Sequence, residues 1–377
     1  MYINFWYPVA RSEDVTNKPP FRTRILKLDF VAFRDTEGRP YVLSDTCIHR
    51  GGALGMGKVK GDCVQCPYHG WQFDGAGRCR MIPSLGESET LPARTKVDSY
   101  PVQEKYGVVF TFLGDLPEKE RPPLWDITEY DQEDWRANEL VVFEVDYHYE
   151  RSVENGLDPA HNEFVHLKQG APGMIQDLRN KPIPVEDIGD WGTKFIIPFM
   201  HIKEKGGLMA ESLVRDPEYL RGGSGHLGSN QLVTWLRFSK ENMFHQYFFE
   251  APIDENRTRI FFVNTRHFLM EPGQDQRIID INMEIAQEDI DLLEKLNPVR
   301  TPDTNTKEVL VPSDLPIVRY REYLKDWDHC GWRIDTKKLG ETHGDVAVAI
   351  PCPERRTSKN WVLDEIPLIK QVTQSAL

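Results

Sequence analysis

Two short runs built from the same pair of residue types restrict this chain more than anything else in it. Cys47 and His49 are separated by one residue, Cys66 and His69 by two, and sixteen residues lie between the pairs. Each run offers one thiolate and one imidazole. Thiolates suit the iron of an iron–sulfur cluster, and imidazoles can replace thiolates on one of its two irons. A backbone bending closely around a cluster favours residues without side chains, and Arg50 is followed by Gly51, Gly52, Gly55 and Gly57. After the second pair come Gly70 and Trp71, a turn and a bulky cover for a site whose potential depends on solvent access. A rival reading starts from the C-x-x-C of Cys63 and Cys66, which with Cys47 and one histidine would hold structural zinc. It leaves a histidine idle and does not call for a paired C-x-H. On the cluster reading Cys63 and Cys79 are ordinary thiols near the site.

The chain has 377 residues and 43.7 kDa, enough for two domains of ordinary size. Hydrophobic residues make up 40%, so a sizeable core is available. No apolar run approaches the roughly 18–20 residues needed to span a bilayer. The start, MYINFWYPVARSEDV, lacks the basic segment and apolar stretch of a secretory signal, so a cytoplasmic protein is expected. A net charge of −13 argues against nucleic acid or an anionic membrane as partner. Six cysteines are too few for a disulfide scaffold in a chain of this length.

The fold class expected is α+β, with a small N-terminal β domain and a C-terminal domain in which an antiparallel sheet is wrapped over helices. Short apolar runs separated by turn signals predict the β domain over residues 1–120, with the two Cys/His loops as hairpin tips. A linker rich in proline and acid is placed at 121–138, and the second domain at 139–377. Within it, the runs 194–200, 231–238, 244–251 and 258–268 are aromatic and β-branched and predict one antiparallel sheet. Residues 203–230, with six glycines and no steady period, predict a long loop able to close over a site. A long helix is predicted over 275–297.

A second constellation lies in ENGLDPAHNEFVH, residues 154–166. His161, His166 and a carboxylate would leave open positions on Fe(II) for oxygen. Residues five apart are about 140° apart on an ideal helix, so both imidazoles reach one metal only across a π-bulge or a break. The third ligand is sought downstream. On the long helix the apolar stripe runs Ile278, Ile281, Ile285, Leu292 and Leu296, and Asp289 fills its gap. A lone carboxylate on a buried stripe is costly unless it is paired or bound to metal, so Asp289 is the expected ligand. An ion pair with arginine is the alternative for Asp289, and Glu288 and Asp291 are the alternative ligands.

Together these motifs resemble the Rieske non-haem iron oxygenases, over residues 47–295. The cluster motif C-x-H…C-x-x-H with its P-Y-H-G-W context and the D-x-x-H-x-x-x-x-H motif ahead of a distant aspartate carry the resemblance. Chain length points to the single-subunit type, the group of vanillate and dicamba O-demethylases, ketosteroid hydroxylases and pheophorbide oxygenases. The resemblance implies that Cys47, His49, Cys66 and His69 hold a [2Fe–2S] cluster and that His161, His166 and Asp289 hold mononuclear Fe(II). It implies that Asp158 bridges an iron histidine to a cluster histidine of a neighbouring subunit in a head-to-tail homotrimer. Asn155 matches a position that often carries Asn or Asp. It also implies O2 as co-substrate, with electrons from NAD(P)H through a reductase or ferredoxin.

The function so implied is monooxygenation, as hydroxylation or O- or N-dealkylation, of an apolar or aromatic small molecule. An arene cis-dihydroxylating dioxygenase would use the same triad. An electron-transfer protein would use the cluster alone. Phe195, Met200, Trp235, Phe244 and Tyr247 are expected to line the substrate pocket, facing the long helix.

Overall fold

The computed structural model describes residues 1–86, 90–167, 175, 178–198, 216 and 218–369. Contacts divide the chain into two units. One comprises Met1–Pro122 with the residues from Asp326 on, and the other is Pro123–Lys325.

In the first unit the apolar runs become strands because aromatic and β-branched side chains pack well on a pleated surface. They are β1 (Phe5–Arg11), β2 (Phe21–Ile25), β3 (Leu28–Arg34), β4 (Pro40–Ser44), β5 (Lys58–Lys60), β6 (Cys63–Gln65), β7 (Gln72–Asp74), β8 (Cys79–Met81), β9 (Ser99–Tyr100), β10 (Val102–Lys105) and β11 (Val108–Leu113). Three antiparallel sheets result, with orders β1-β11-β10, β2-β3-β4-β9 and β5-β6-β7-β8. One Cys/His loop joins β4 to β5, and the other joins β6 to β7. Behind them Val31, Phe33, Leu43, Leu54, Val64 and Phe73 form one buried cluster with Cys47 and Cys66.

Residues 326 onward were expected to belong with 139–325 and instead complete this first unit. Ile3 N–H donates to the Trp332 carbonyl at 3.0 Å, and Tyr100 donates its hydroxyl to the Ile350 carbonyl at 2.8 Å. Arg355 holds the fully buried Asp98 carboxylate through Nε at 2.6 Å and Nη2 at 2.8 Å. These partners are far apart in sequence and follow no periodicity, so nothing local announces them.

The second unit is built on β12 (Arg136–Ala137), β13 (Val141–Val145), β14 (Glu186–Ile188), β15 (Gly192–Pro198), β16 (Arg221–Leu227), β17 (Gln231–Arg237), β18 (Met243–Pro252) and β19 (Thr258–Arg266). All pairings are antiparallel. The order is β12-β19-β18-β17-β16-β15-β14, with β13 also on β19. The α+β expectation holds for both units.

Two expectations fail here. Residues 221–227, placed in a long loop, form the interior strand β16. Its glycines hide the strand pattern, yet a Cβ at Gly223 would stand 2.1 Å from the Phe195 carbonyl oxygen and one at Gly225 2.8 Å from that of Thr193. Neighbouring strands approach too closely there for any other residue. Of the remainder of the proposed closing loop, 203–215 and 217 lie outside the described residues. The linker also differs from expectation, since from Pro123 it belongs to the second unit. Glu129 within it accepts hydrogen bonds from His245 Nδ1 (2.7 Å), the Tyr247 hydroxyl (2.7 Å) and Thr265 Oγ1 (2.9 Å).

The long helix spans Asp275–Leu293. Ile278 and Ile281 pack with Phe244, Phe238 and Phe268, while Leu293 and Ile290 pack with Val145, Tyr147, Ile260 and Phe248. Between these clusters Gln246 Nε2 donates to Asn282 Oδ1 at 3.0 Å. Leu292, expected on the buried stripe, is 43% exposed, and Leu293 takes its place. The stripe therefore runs 281, 285, 289, 293 at four-residue steps, which keeps Asp289 on it. A second helix, Tyr149–Gly156, lies close against β17, where a Cβ at Gly156 would meet Leu232 Cδ2 at 2.3 Å. Arg151 and Glu154 of this helix join Arg321 and Glu308 in a largely buried charge network. Among the described residues no helix is long and apolar enough to cross a membrane.

Candidate metal centres

The two Cys/His loops are the same turn used twice. In each, the cysteine carbonyl accepts the N–H of the glycine four residues on, Gly51 to Cys47 at 2.9 Å and Gly70 to Cys66 at 3.1 Å. Both glycines sit in the left-handed region, at φ +71° and +73°, which costs other residues about 1–2 kcal/mol. The cysteines are buried and their side chains neighbour one another. The histidines stand at the exposed tips with ring centroids 4.4 Å apart, His49 stacked on Trp71 at 4.6 Å and 6°. A Cβ on Gly52 would lie 3.1 Å from Cys66 Sγ, so this loop closes directly over the sulfur.

Burial, with the neighbouring Cys66 adding to it, pushes the Cys47 thiol up to about 12. Thiolates in such surroundings need an adjacent cation, which an iron cluster supplies, so the donor set fits one. Among the described residues, Cys47, Cys63 and Cys66 do not gather with a histidine within 4.8 Å, as ligands of a single zinc ion would. Cys63 lies in β6, and Cys79 donates its thiol to the Met81 carbonyl at 3.4 Å.

The one set of His, Cys, Asp or Glu among the described residues that does gather within 4.8 Å is His161, His166 and Asp289. The helix breaks around the histidines, as their spacing requires. His161 ends a 3-10 turn (Pro159–His161), a single α turn follows (Asn162–Val165), and His166 leaves it at φ −92°, ψ 64°. The distortion is a break and not a π-bulge. The two Nε2 atoms are 3.2 Å apart, and Asp289 Oδ1 lies 3.7 Å from that of His161 and 3.4 Å from that of His166. Asp289 Oδ1 is buried with no hydrogen-bond partner, and no arginine pairs with Asp289 among the described residues. A buried, unsatisfied carboxylate oxygen facing two imidazole nitrogens is a fitting seat for a cation. Burial lowers the His161 pKa despite the raising influence of Asp289 and Asp158, which favours the neutral, ligating imidazole.

The remaining positions divide. Asp158 caps the 3-10 turn, its carboxylate accepting from Ala160 N–H at 2.8 Å, and its backbone carbonyl holds His161 Nδ1. Burial raises the Asp158 carboxyl above its ordinary range. Asn155 lies in the last turn of the preceding helix, where its carbonyl accepts from Asp158 N–H at 3.1 Å. Glu288, weighed as a ligand, instead places Oε2 3.1 Å from His166 Nδ1, on the far side of that ring. Asp291 accepts from Gln287 at 2.8 Å on the exposed side.

The expected pocket residues fall on opposite faces of the sheet. Side chains alternate along a strand, and residues directly paired across strands share a face. Phe244, beside Gln246, faces the long helix, and the pairings 244–236, 236–222 and 222–197 carry that face to β15. Phe195, two residues from Ile197, is on it. Trp235 and Tyr247 pair with positions of the other parity and face Trp125, with ring centroids 5.8 and 6.3 Å away. They are therefore not part of a pocket beside the triad. Strand parity needs the register, which the sequence does not show. Met200 lies outside the described residues.

Comparison with known proteins agrees with this geometry. Residues 5–101 match the Rieske [2Fe-2S] domain, and residues 226–328 match the vanillate O-demethylase oxygenase C-terminal domain. The chain is 37% identical over 174 residues to phenoxybenzoate dioxygenase subunit alpha of Ectopseudomonas oleovorans, an alignment covering 43% of this chain and 42% of that protein. The chain thus spans less than half the length of that relative. It is 26% identical to methylxanthine N1-demethylase NdmA of Pseudomonas putida over 86% of this chain and 88% of that one. Dicamba monooxygenase bound to dicamba superposes with TM-score 0.67 at 21% identity, over 87% of this chain and 97% of that chain, which speaks to the fold. The two domain matches imply a Rieske cluster and a mononuclear iron used with O2.

Proposed function

The chain belongs to the Rieske oxygenase family, with a C-terminal domain of the vanillate O-demethylase type, and from that premise we propose that it is a terminal oxygenase component that monooxygenates an apolar or aromatic small molecule by hydroxylation or O- or N-dealkylation. The observation that carries this is the convergence of His161, His166 and the unsatisfied Asp289 oxygen, in a chain that also holds two matched Cys/His loops. An electron-transfer protein has no need of the first. Monooxygenase and demethylase names among the relatives support one-atom insertion, and the dioxygenase name of another keeps dihydroxylation as the second reading.

Cys47, Cys66, His49 and His69 hold the cluster, and His161, His166 and Asp289 hold the iron. When bound, these groups supply single electrons and activated O2, from which one oxygen atom enters a C–H bond and the other leaves as water. The chain contributes placement. Phe195 and Phe244 give the helix-facing side of the sheet an apolar character suited to such a substrate. Asp158 and the 3-10 turn it caps fix the direction of His161.

The partners follow from the same reading. A reductase or ferredoxin in the cytoplasm delivers electrons from NAD(P)H to the exposed His49/His69 tip, where exposed Tyr68 lies against His69. Phe164 and Leu167, 66% and 70% exposed beside the triad, support a second copy covering that edge in a homotrimer. Asp158 then bridges to a cluster histidine of that copy.

The test is metal content with an absorption spectrum, on anaerobically purified wild type and Asp289→Ala. About three irons per chain with the broad visible bands of a His/Cys cluster support both sites. Loss of one iron in the variant, with the bands intact, supports Asp289 as ligand. Colourless protein containing zinc overturns the reading, and two irons in both proteins leave only the electron carrier. With a substrate in hand, 18O2 separates the two: one 18O per turnover, in a hydroxylated product or in the aldehyde released by dealkylation, marks monooxygenation, and two in one product mark dihydroxylation.

A further inference from the structure

Two consecutive acids on the long helix address one histidine from its two sides. Asp289 Oδ1 lies 3.4 Å from His166 Nε2, and Glu288 Oε2 lies 3.1 Å from His166 Nδ1. The other triad histidine is treated differently, since His161 Nδ1 meets a neutral backbone carbonyl, that of Asp158. The sequence offers no reason for an acid at position 288 beyond helix solubility, yet its side chain is 18% exposed and turned onto a ring that is 4% exposed.

We propose that Glu288 is a positioning residue for the iron site, which fixes the tautomer and the ring orientation of His166. The inference rests on the iron site proposed above. An ionised carboxylate only accepts hydrogen bonds, so the proton of neutral His166 must sit on Nδ1. That leaves the Nε2 lone pair facing His161 and Asp289, where a metal would be held. A carboxylate on Nδ1 also holds the ring in the plane that aims Nε2 at His161 and Asp289. His161 Nδ1 meets a backbone carbonyl, with the Asp158 carboxylate acting on that ring through space and not as its Nδ1 partner. Helix geometry allows this without a loop. Neighbouring residues are about 100° apart around a helix, so the side chains of 288 and 289 can flank one ring instead of competing for one side of it.

Metal affinity tests this without turnover. Cobalt(II) serves as a coloured probe, titrated against a chelator into protein stripped of the mononuclear metal, with the visible cluster bands as a folding control. Glu288→Ala is expected to weaken cobalt binding about 10- to 100-fold with the cluster bands unchanged. Glu288→Gln keeps an acceptor oxygen but not the charge, and is expected to fall between Ala and wild type, with cobalt d–d bands shifted from those of wild type. The Gln variant also decides the matter if the Ala variant does not fold. Binding within twofold of wild type in Glu288→Gln and in any folded Glu288→Ala overturns the proposal. His166→Ala separates the two readings. If it abolishes cobalt binding while the Glu288 variants do not weaken it, the site stands and the positioning role falls. If His166→Ala binds as wild type does, the iron site falls and takes this role with it.

Discussion

The two candidate centres are assembled in opposite ways. The cluster loops lie within 23 residues of sequence and each carries its own instructions: a cysteine, a histidine, and a left-handed glycine four residues after the cysteine. The triad has no such local unit. Its histidines flank a broken turn, and its aspartate comes from a helix whose neighbouring Glu288 is 122 residues beyond His166. The first kind of site is specified by turn chemistry, the second by packing, since Asp289 reaches the histidines only because the isoleucines of its helix are buried against the sheet. Damage to the core should therefore empty the triad while sparing the cluster, and damage to the turns should do the reverse.

The largest effect is expected from Phe244→Ala. Phe244 is 1% exposed and packs against Ile278 and Ile281, so its loss should cost about 3–5 kcal/mol and loosen the long helix. Iron analysis and visible spectra should show mononuclear iron lost on dialysis before the cluster bands fade. Equal loss of both metals would break the contrast.

A smaller effect is expected at Glu129, which ties residues 123–138 to the outer face of the sheet. Burial alone would raise this carboxyl, but hydrogen bonds from His245 and Tyr247 outweigh it and hold it at about 2 against an ordinary 4.5. The unfolded chain then binds the proton more readily. The contribution to stability is complete above about pH 4.5 and is lost as pH falls through about 2, with a size of about 3 kcal/mol. Denaturant titrations at pH 6 and pH 3 should show wild type losing more stability on acidification than Glu129→Gln. Parallel losses would remove Glu129 from the account.

The smallest effect sharpens the cluster side. A Cβ on Gly51 meets nothing within 4 Å, whereas one on Gly70 meets Pro83 Cγ at 3.1 Å and Gln65 Nε2 at 3.2 Å. Gly51→Ala should cost only the backbone strain, about 1–2 kcal/mol, and Gly70→Ala more. Thermal bleaching of the cluster bands should rank wild type above Gly51→Ala above Gly70→Ala, with mononuclear iron retained in all three. The reverse order of the two variants would show that the turns are not limiting.

This contrast explains what could be read in advance. The matched turns at Cys47–Gly51 and Cys66–Gly70 were legible because spacing encodes them. The break between His161 and His166 was legible from their separation, and the place of Asp289 on its helix from a gap in an apolar stripe. What failed was whatever depends on long-range register. Strand β16 was hidden by glycines that serve its neighbours and not its own propensity. Trp235 and Tyr247 were assigned to a face that only strand pairing decides. Leu293 replaced Leu292 because the direction of the stripe follows the partner surface. Glu288 was visible only as a rival to Asp289, since nothing local shows which nitrogen of a distant imidazole a carboxylate will reach.

The return of the chain after Asp326 to complete the first unit has a consequence during synthesis. A ribosome delivers residues in order, so Asp98 leaves it long before Arg355 does. Until Arg355 arrives, the site that seals Asp98 holds an uncompensated carboxylate, and the sheet carrying β4 and β9 lacks one wall. The cluster loops sit between β4 and β7, so the unit that carries them is finished only after Arg355 has emerged. A nascent chain stalled before position 355 would therefore present Cys47 and Cys66 on a unit that still lacks the residues from Asp326 on.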